Sequence, residues 1–134
     1  MKAFYVGILT GCVLGTLGYA APAQADSGIA SLPIASGAGG VTCSVINIGA
    51  QAIPVIATLH TSSGSGNTAA NATFAPGSVL QVDRPYVVGE SVYCVVGRSG
   101  GSVSKRQLKG TLQSLDANGN ALVTVPVDIP TVIN

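Results

Sequence analysis

The sequence predicts a small all-β domain, in which two sheets of about six to eight strands in total pack as a sandwich joined by one disulfide. From Val41 onward, β-branched and small apolar residues alternate with polar ones, which is the pattern of half-buried strands. No segment shows a helical period with a cap. Cys43 and Cys94 each lie among valines that share a strand face, so we expect them to bridge the two sheets.

Residues 1–25 have the features of a secretory signal peptide. Lys2 supplies the positive start, Ala3–Tyr19 carries no charge, and Ala23-Gln24-Ala25 is a small-x-small cleavage pattern. We therefore expect a mature chain that begins at Asp26 and is secreted, to the periplasm of a bacterium or outside the cell. The signal peptide is then the chain's only expected membrane-directed segment.

One alternative processing site lies inside that leader. Leu9-Thr10-Gly11-Cys12 fits the pattern in which a bacterial lipoprotein signal ends at a lipidated cysteine. The apolar run continues past Cys12 to Tyr19, whereas a lipoprotein usually has a polar tether there. Cys12 is therefore interpreted as a small apolar residue of the leader, with lipidation kept as the alternative.

Cleavage after Ala25 leaves Cys43 and Cys94 as the only cysteines. An even pair in an exported chain predicts a disulfide, and two cysteines allow one connectivity. The bridge would close a loop of about 50 residues, for which the chain-entropy model gives about 4 kcal/mol of stabilisation.

The elements follow from local patterns, taken in chain order. Residues 26–40, rich in Ser, Ala and Gly, are predicted to form a flexible N-terminal tether with at most a short strand at Ile29–Ile34. Residues 41–134 are predicted to form the single β-sandwich domain. Its predicted strands are Val41–Val45, Ile53–Leu59, Ala72–Phe74, Ser78–Val82, Val92–Val96, Val103–Leu115 and Ala121–Val127.

Turn residues separate these strands. Pro76-Gly77 and Asn118-Gly119 are turn signals, the second being typical of a tight hairpin. Three predicted loops are left, at residues 61–71, 83–90 and 97–101. Pro126 and Pro130 make the last strand a candidate sheet edge, because proline cannot donate to a β-ladder.

The predicted sandwich is Ig-like in architecture only. The chain has no Trp to pack on the disulfide, and Tyr93 directly precedes Cys94, whereas the tyrosine corner of Ig domains lies two residues before its cysteine.

Composition excludes several classes of partner and cofactor. The 134 residues are only 8% charged, with a net charge of +1, so a broad basic surface for nucleic acid is not expected. His60 is the only histidine, and with both mature cysteines in a bridge we expect no metal site and no cofactor.

The candidate binding residues are few. Lys105 and Lys109 belong to a predicted strand face that carries the main basic cluster, which could contact a partner or an acidic glycan. Tyr86 could stack on a sugar ring from the loop at residues 83–90.

A serine hydrolase is the remote alternative. Gly97–Gly101 fits the G-x-S-x-G nucleophile pattern around Ser99, and His60 and Asp83 precede it in the order of a chymotrypsin-like triad. That fold needs about twice this length, and a predicted strand rather than a helix follows Ser99. No catalytic residue is therefore assigned.

The favoured function is an exported, non-catalytic module with a structural or protein-interaction role. In one variant it self-associates through an unpaired sheet edge, with residues 27–40 or 128–134 donating a strand. The alternative is a glycan-binding or small-ligand-binding domain that uses the three loops at residues 61–71, 83–90 and 97–101.

Overall fold

A computed structural model describes residues 26–98 and 100–133 of the chain. The predicted signal peptide, Cys12 and Ser99 lie outside the described residues. Within the described ranges, no helix is long and apolar enough to cross a membrane.

The described part of the chain is built from nine strands, one more than the upper end of the sequence-based expectation. They are β1 (Asp26–Ser31), β2 (Ile34–Ala35), β3 (Gly40–Asn47), β4 (Ile53–Thr61), β5 (Asn67–Phe74), β6 (Val79–Arg84), β7 (Ser91–Gly97), β8 (Leu108–Leu115) and β9 (Ala121–Ile133).

All strand pairs are antiparallel, and they form one curled sheet rather than two separate ones. Its order is β5-β4-β7-β1-β9-β8-β3-β6, with the short β2 also paired to β7. The long β9 joins the two halves, because Ala121–Pro126 pairs with β8 and Val127–Ile133 pairs with β1. The expectation of an Ig-like two-sheet sandwich is therefore replaced by a sheet that curls into a nearly closed barrel.

The sheet nearly closes where its two outer strands, β5 and β6, approach each other. The side-chain amide of Asn67 donates to the carbonyl oxygen of Asp83 at 2.6 Å, and Arg84 Nη1 donates to Asn67 Oδ1 at 3.2 Å. These contacts take the place of a β-ladder between the two strands. The two edges thus face each other instead of projecting into solvent.

The predicted disulfide is confirmed. Cys43 on β3 and Cys94 on β7 are bonded, with their Cα atoms 6.3 Å apart, and both are fully buried. Because the two strands belong to opposite walls, the bond crosses the core. Around it packs an aliphatic core with one aromatic ring, Phe74; among its fully enclosed members are Ile29, Val41, Val45, Val55, Leu59, Val92, Val96, Leu108, Leu112 and Val127.

The prediction of a flexible tether at residues 26–40 is wrong. β1 lies in the middle of the sheet between β7 and β9, and Ile29 is 1% exposed. The β1 segment is rich in Gly and Ser and lacks the long apolar run that is typical of a buried strand. Its central position therefore depends on its pairing with β7 and β9, which are distant in the sequence. The turn into β3 also requires glycine, since Gly40 has φ +88° and an added Cβ would lie 2.2 Å from the Arg84 carbonyl oxygen.

The last strand is not a sheet edge either. β9 is central, yet each of its halves is paired with only one of its two neighbours. That arrangement leaves one side of each half without ladder hydrogen bonds, which is the condition under which Pro126 and Pro130 can be accommodated. The two segments named as strand donors, residues 27–40 and 128–134, contribute β1 and the end of β9, which are paired to each other.

Two further boundaries differ from expectation. The polar loop at residues 61–71 is shorter than predicted, because β5 already begins at Asn67; its Thr and Ala residues pair with β4. β8 begins at Leu108 rather than Val103, since the amides of Gln107 and Leu108 donate to the Ser104 carbonyl oxygen in a turn.

The predicted hairpin turn between β8 and β9 is confirmed. Gly119 has φ +84°, and Asp116 accepts hydrogen bonds from the backbone amides of Asn118 and Asn120 at 2.9 and 2.8 Å. These donors hold the pKa of the Asp116 carboxyl below its ordinary value. The Asp116 carboxylate thus helps to close the turn.

Candidate functional site

Two of the three predicted binding residues line one groove, although they do not share the predicted strand face. Lys109 lies on β8, whereas Lys105 lies in the turn before it and not on a shared strand face. Both nevertheless border the same cavity, which has a volume of about 570 Å³.

The floor and one wall of this groove are apolar. Val45, Leu108 and Val127 form the floor and are at most 1% exposed. Ile46 and Val79, cross-strand partners on β3 and β6, add apolar surface that is 37% and 62% exposed. The other residues that line it are Ser44, Lys105, Lys109, Gly110, Thr111, Pro126 and Asp128.

The groove exists because β9 changes partner at this point. Its ladder with β8 ends at the pair Thr111–Pro126, and from Val127 onward it pairs with β1. Between Val127 and Ile129 the register with β1 shifts, which leaves Asp128 as the extra residue of a β-bulge. The two strands therefore diverge, and the cleft between them is open to solvent.

Gly110 lies where the two strands part. A Cβ atom added there would lie 3.1 Å from the Ser44 carbonyl oxygen and 3.2 Å from the Val127 Cβ. Glycine thus allows the Val127 side chain to approach β8 closely and to complete the floor of the groove.

The rim of the groove is charged and not internally paired. Lys105 and Lys109 lie on the β8 side and Asp128 on the β9 side. In the described ranges the ion pair found is Arg84–Glu90, which lies elsewhere. Two ammonium groups against one carboxylate leave the rim with an excess of positive charge.

Tyr86, the third predicted binding residue, is not part of this groove. It lies in the loop between β6 and β7 and is 46% exposed, so its ring is accessible as expected. It lines neither the groove nor the hollow described next. The structure therefore does not bring it together with the two lysines.

A second, more polar hollow lies on the β4–β7 face and was missed in the sequence. His60 and Tyr93 are cross-strand partners whose rings stack with centroids 5.1 Å apart and planes 13° from parallel. Thr58, Thr68 and Ser65 place hydroxyl groups around them, in a hollow of about 300 Å³. This hollow was difficult to predict from the sequence, because only the register of β4 against β7 brings residues 60 and 93 together.

The triad arrangement proposed for a hydrolase is not assembled in the described part of the chain. The Asp83 carboxylate accepts hydrogen bonds from the Thr42 hydroxyl and from Gln81 Nε2, and His60 stacks on Tyr93. Asp83 therefore does not orient His60. Nor do three His, Cys, Asp or Glu side chains gather anywhere in residues 26–98 and 100–133 as a metal site would require.

A buried ion pair fixes two of the predicted loops. Arg84 Nε and Nη2 donate to the two carboxylate oxygens of Glu90 at 2.6 and 2.8 Å, a bidentate pair. The Ser63 hydroxyl donates to the same carboxylate at 3.0 Å, and Arg84 Nη2 also donates to Ser65 Oγ. The loop at residues 62–66 and the loop at residues 85–90 are thus tied to each other.

This pair predicts a loss of stability in acid. The bond from Arg84, supported by that from Ser63, lowers the pKa of Glu90, so its contribution is fully present above the unfolded-state pKa of about 4.3 and is lost as the pH falls through the folded value. Thermal unfolding followed from pH 7 to pH 3 should show a fall in melting temperature that is smaller in Glu90→Gln. Asp128→Asn is the matched control and should keep the wild-type profile; equal profiles for wild type and Glu90→Gln would contradict the assignment.

No family model, curated protein or solved structure matches this chain.

Proposed function

We propose that this chain is an exported, non-catalytic β-module that acts by binding another molecule on its groove, in the periplasm or at the cell surface. Export is supported by the leader pattern that ends at Ala23-Gln24-Ala25 and by the Cys43–Cys94 disulfide, which suits an oxidising compartment. The role is one of structure or interaction rather than chemistry.

The groove carries the proposal. It combines an apolar floor, exposed apolar flanks at Ile46 and Val79, and a rim whose lysines form no ion pair in the described part of the chain. Concave apolar surfaces with a few polar groups are the usual form of a binding site. Because β3 is joined to β7 by the disulfide, the scaffold under the groove is rigid, so little order has to be gained on binding.

Edge pairing is the weaker form of this proposal. The outer strands β5 and β6 face each other and are bridged by Asn67, Asp83 and Arg84. The two segments that were expected to donate a strand are already paired inside the sheet. A partner is therefore more readily received on the groove than along an edge.

Glycan binding is the second candidate function, and the hollow at His60 and Tyr93 favours it. A stacked aromatic pair surrounded by hydroxyl groups is a surface on which a sugar ring can stack and form hydrogen bonds. The loop at residues 62–66 borders this hollow. The glycan-binding alternative therefore keeps one of its predicted loops, but uses Tyr93 in place of Tyr86.

One experiment separates these candidates. The chain is expressed in a bacterial host with its leader, and intact mass is expected to show removal of residues 1–25 and the loss of two hydrogen atoms on formation of the disulfide. The isotope-labelled protein is then titrated with lipid, glycan and protein fractions of cell envelopes while amide shifts are recorded. We expect shifts at Lys109, Gly110 and Thr111; shifts confined to His60 and Tyr93 would favour glycan binding instead. Retention of the protein in the cytoplasm, or shifts in neither place, would overturn the proposal.

A further inference from the structure

We propose that the occupant of the groove is a free, linear, long-chain fatty carboxylate, with its chain against the exposed apolar side chains of Ile46, Val79 and Pro126 and its head at Lys105 and Lys109. This inference rests on the proposed function, since it names the class of ligand that the same groove would take.

The shape suits one aliphatic chain. The cavity of about 570 Å³ falls within the range of small-molecule sites, and its floor of Val45, Leu108 and Val127 offers no hydrogen-bonding side chain. The exposed side chains of Ile46 and Val79 extend this apolar surface toward solvent. Because the floor residues are already at most 1% exposed, the apolar surface that a methylene chain can cover is that of Ile46, Val79 and the exposed Pro126. Each methylene that lies against these side chains should tighten binding by up to about four-fold.

The charge places the head of the ligand. Lys105 and Lys109 are on one side of the groove, and Asp128 is on the other. An anion is therefore drawn to the β8 side and repelled from the β9 side. The hydroxyl groups of Ser44 and Thr111, which also line the groove, can donate to a carboxylate but add no charge. A cationic head on the same chain would meet two like charges.

The backbone disfavours an extended peptide in the same place. A peptide that adds to a sheet as an extra strand needs a row of N–H donors and carbonyl acceptors. Pro126 lines the groove and has no backbone N–H, and Pro130 likewise gives β9 no donor. The bulge at Asp128 shifts the register between these two prolines. The groove therefore offers apolar contact and charge, but not a continuous ladder.

The first test compares ligands on the processed, oxidised protein. Dodecanoate, hexanoate and dodecyltrimethylammonium are titrated below their micelle concentrations by calorimetry, at low and at raised salt. We expect dodecanoate to bind, hexanoate to bind much more weakly, and the ammonium compound not to bind measurably. Raised salt should weaken the binding of dodecanoate. Equal binding of the carboxylate and the ammonium compound would overturn the inference.

The second test uses matched variants. Lys105→Gln combined with Lys109→Gln should weaken dodecanoate binding by about ten-fold, since each exposed ion pair accounts for roughly three-fold. Arg106→Gln removes a charge from the same turn without lining the groove and should leave binding unchanged. Thr111→Trp fills the groove and should abolish binding, whereas Thr73→Trp places the same ring on the exposed face of β5 and should not. Should Thr111→Trp fail to fold, the lysine variants still decide.

The remaining outcomes separate this inference from the proposed function. If anionic vesicles bind but free dodecanoate does not, the occupant is a membrane surface and the inference fails. If an acidic peptide shifts the groove amides and dodecanoate does not, the inference also fails while the binding function stands. If the groove responds to no probe and to no envelope fraction, both fail.

Discussion

Replacing Cys43 and Cys94 together by alanine is expected to lower the free energy of unfolding by about 4 kcal/mol. The crosslink joins residues 51 apart in sequence and so removes much of the freedom of the unfolded chain. A domain of this size has only about 5–15 kcal/mol of stability, so the loss should remove between about a quarter and most of it. Urea unfolding followed by circular dichroism measures the change.

The control for this effect is the wild-type protein unfolded by urea in the presence of dithiothreitol, which reduces the disulfide. It loses the crosslink but keeps both sulfur atoms in the core, whereas the double variant also loses their packing. The two should agree within about 1–2 kcal/mol if the crosslink dominates. A reduced protein within about 1 kcal/mol of the oxidised one would contradict the prediction, because it would mean that the sheet holds its two walls together without the bond.

Replacing Asn47 by alanine is expected to cost about 3 kcal/mol, the second largest effect. Its side chain, 1% exposed, donates to the carbonyl oxygens of Phe74 and Gln51 at 2.8 and 2.9 Å and accepts from the Gly49 amide at 2.9 Å. The amide therefore connects β3 to the end of β5 and to the loop before β4. Alanine would remove the side-chain partner of the Phe74 and Gln51 carbonyl oxygens, whereas the Gly49 amide would keep its bond to the Gln107 carbonyl oxygen at 3.2 Å.

Two further variants test this assignment. Asn47→Asp keeps the size but sets a carboxylate against two carbonyl oxygens, so it should be more damaging at pH 7 than at pH 4, where the acid can donate. Asn118→Ala, at an exposed turn position, should change the unfolding free energy by less than about 1 kcal/mol. Similar losses at positions 47 and 118 would show that the buried amide does not have this role.

Features that depend on neighbouring residues could be predicted from the sequence. The strand class came from local alternation, the turn at Asn118-Gly119 from backbone preference, and the disulfide from a single possible pairing. Each of these predictions requires only neighbouring residues or the number of cysteines.

Features that depend on register could not be predicted. β1 was interpreted as a tether because its pairing with β9 joins residues about 100 apart in the chain. The proline rule failed at β9 because it assumes that a strand keeps both neighbours along its length, and β9 exchanges one for the other at Pro126. The same exchange opens the groove, so the lysines could be proposed from the sequence but the cavity that they border could not.

The central position of β9 also determines when the chain can fold. Residues 121–133 join the half of the sheet that contains β8 to the half that contains β1, so the β-ladders that connect the two halves cannot form before this segment has been made. Such long-range pairing is slow to form. Under the proposed export, a chain still in transit would lack the ladders of this segment, and the sheet would be completed only after the last strand has emerged.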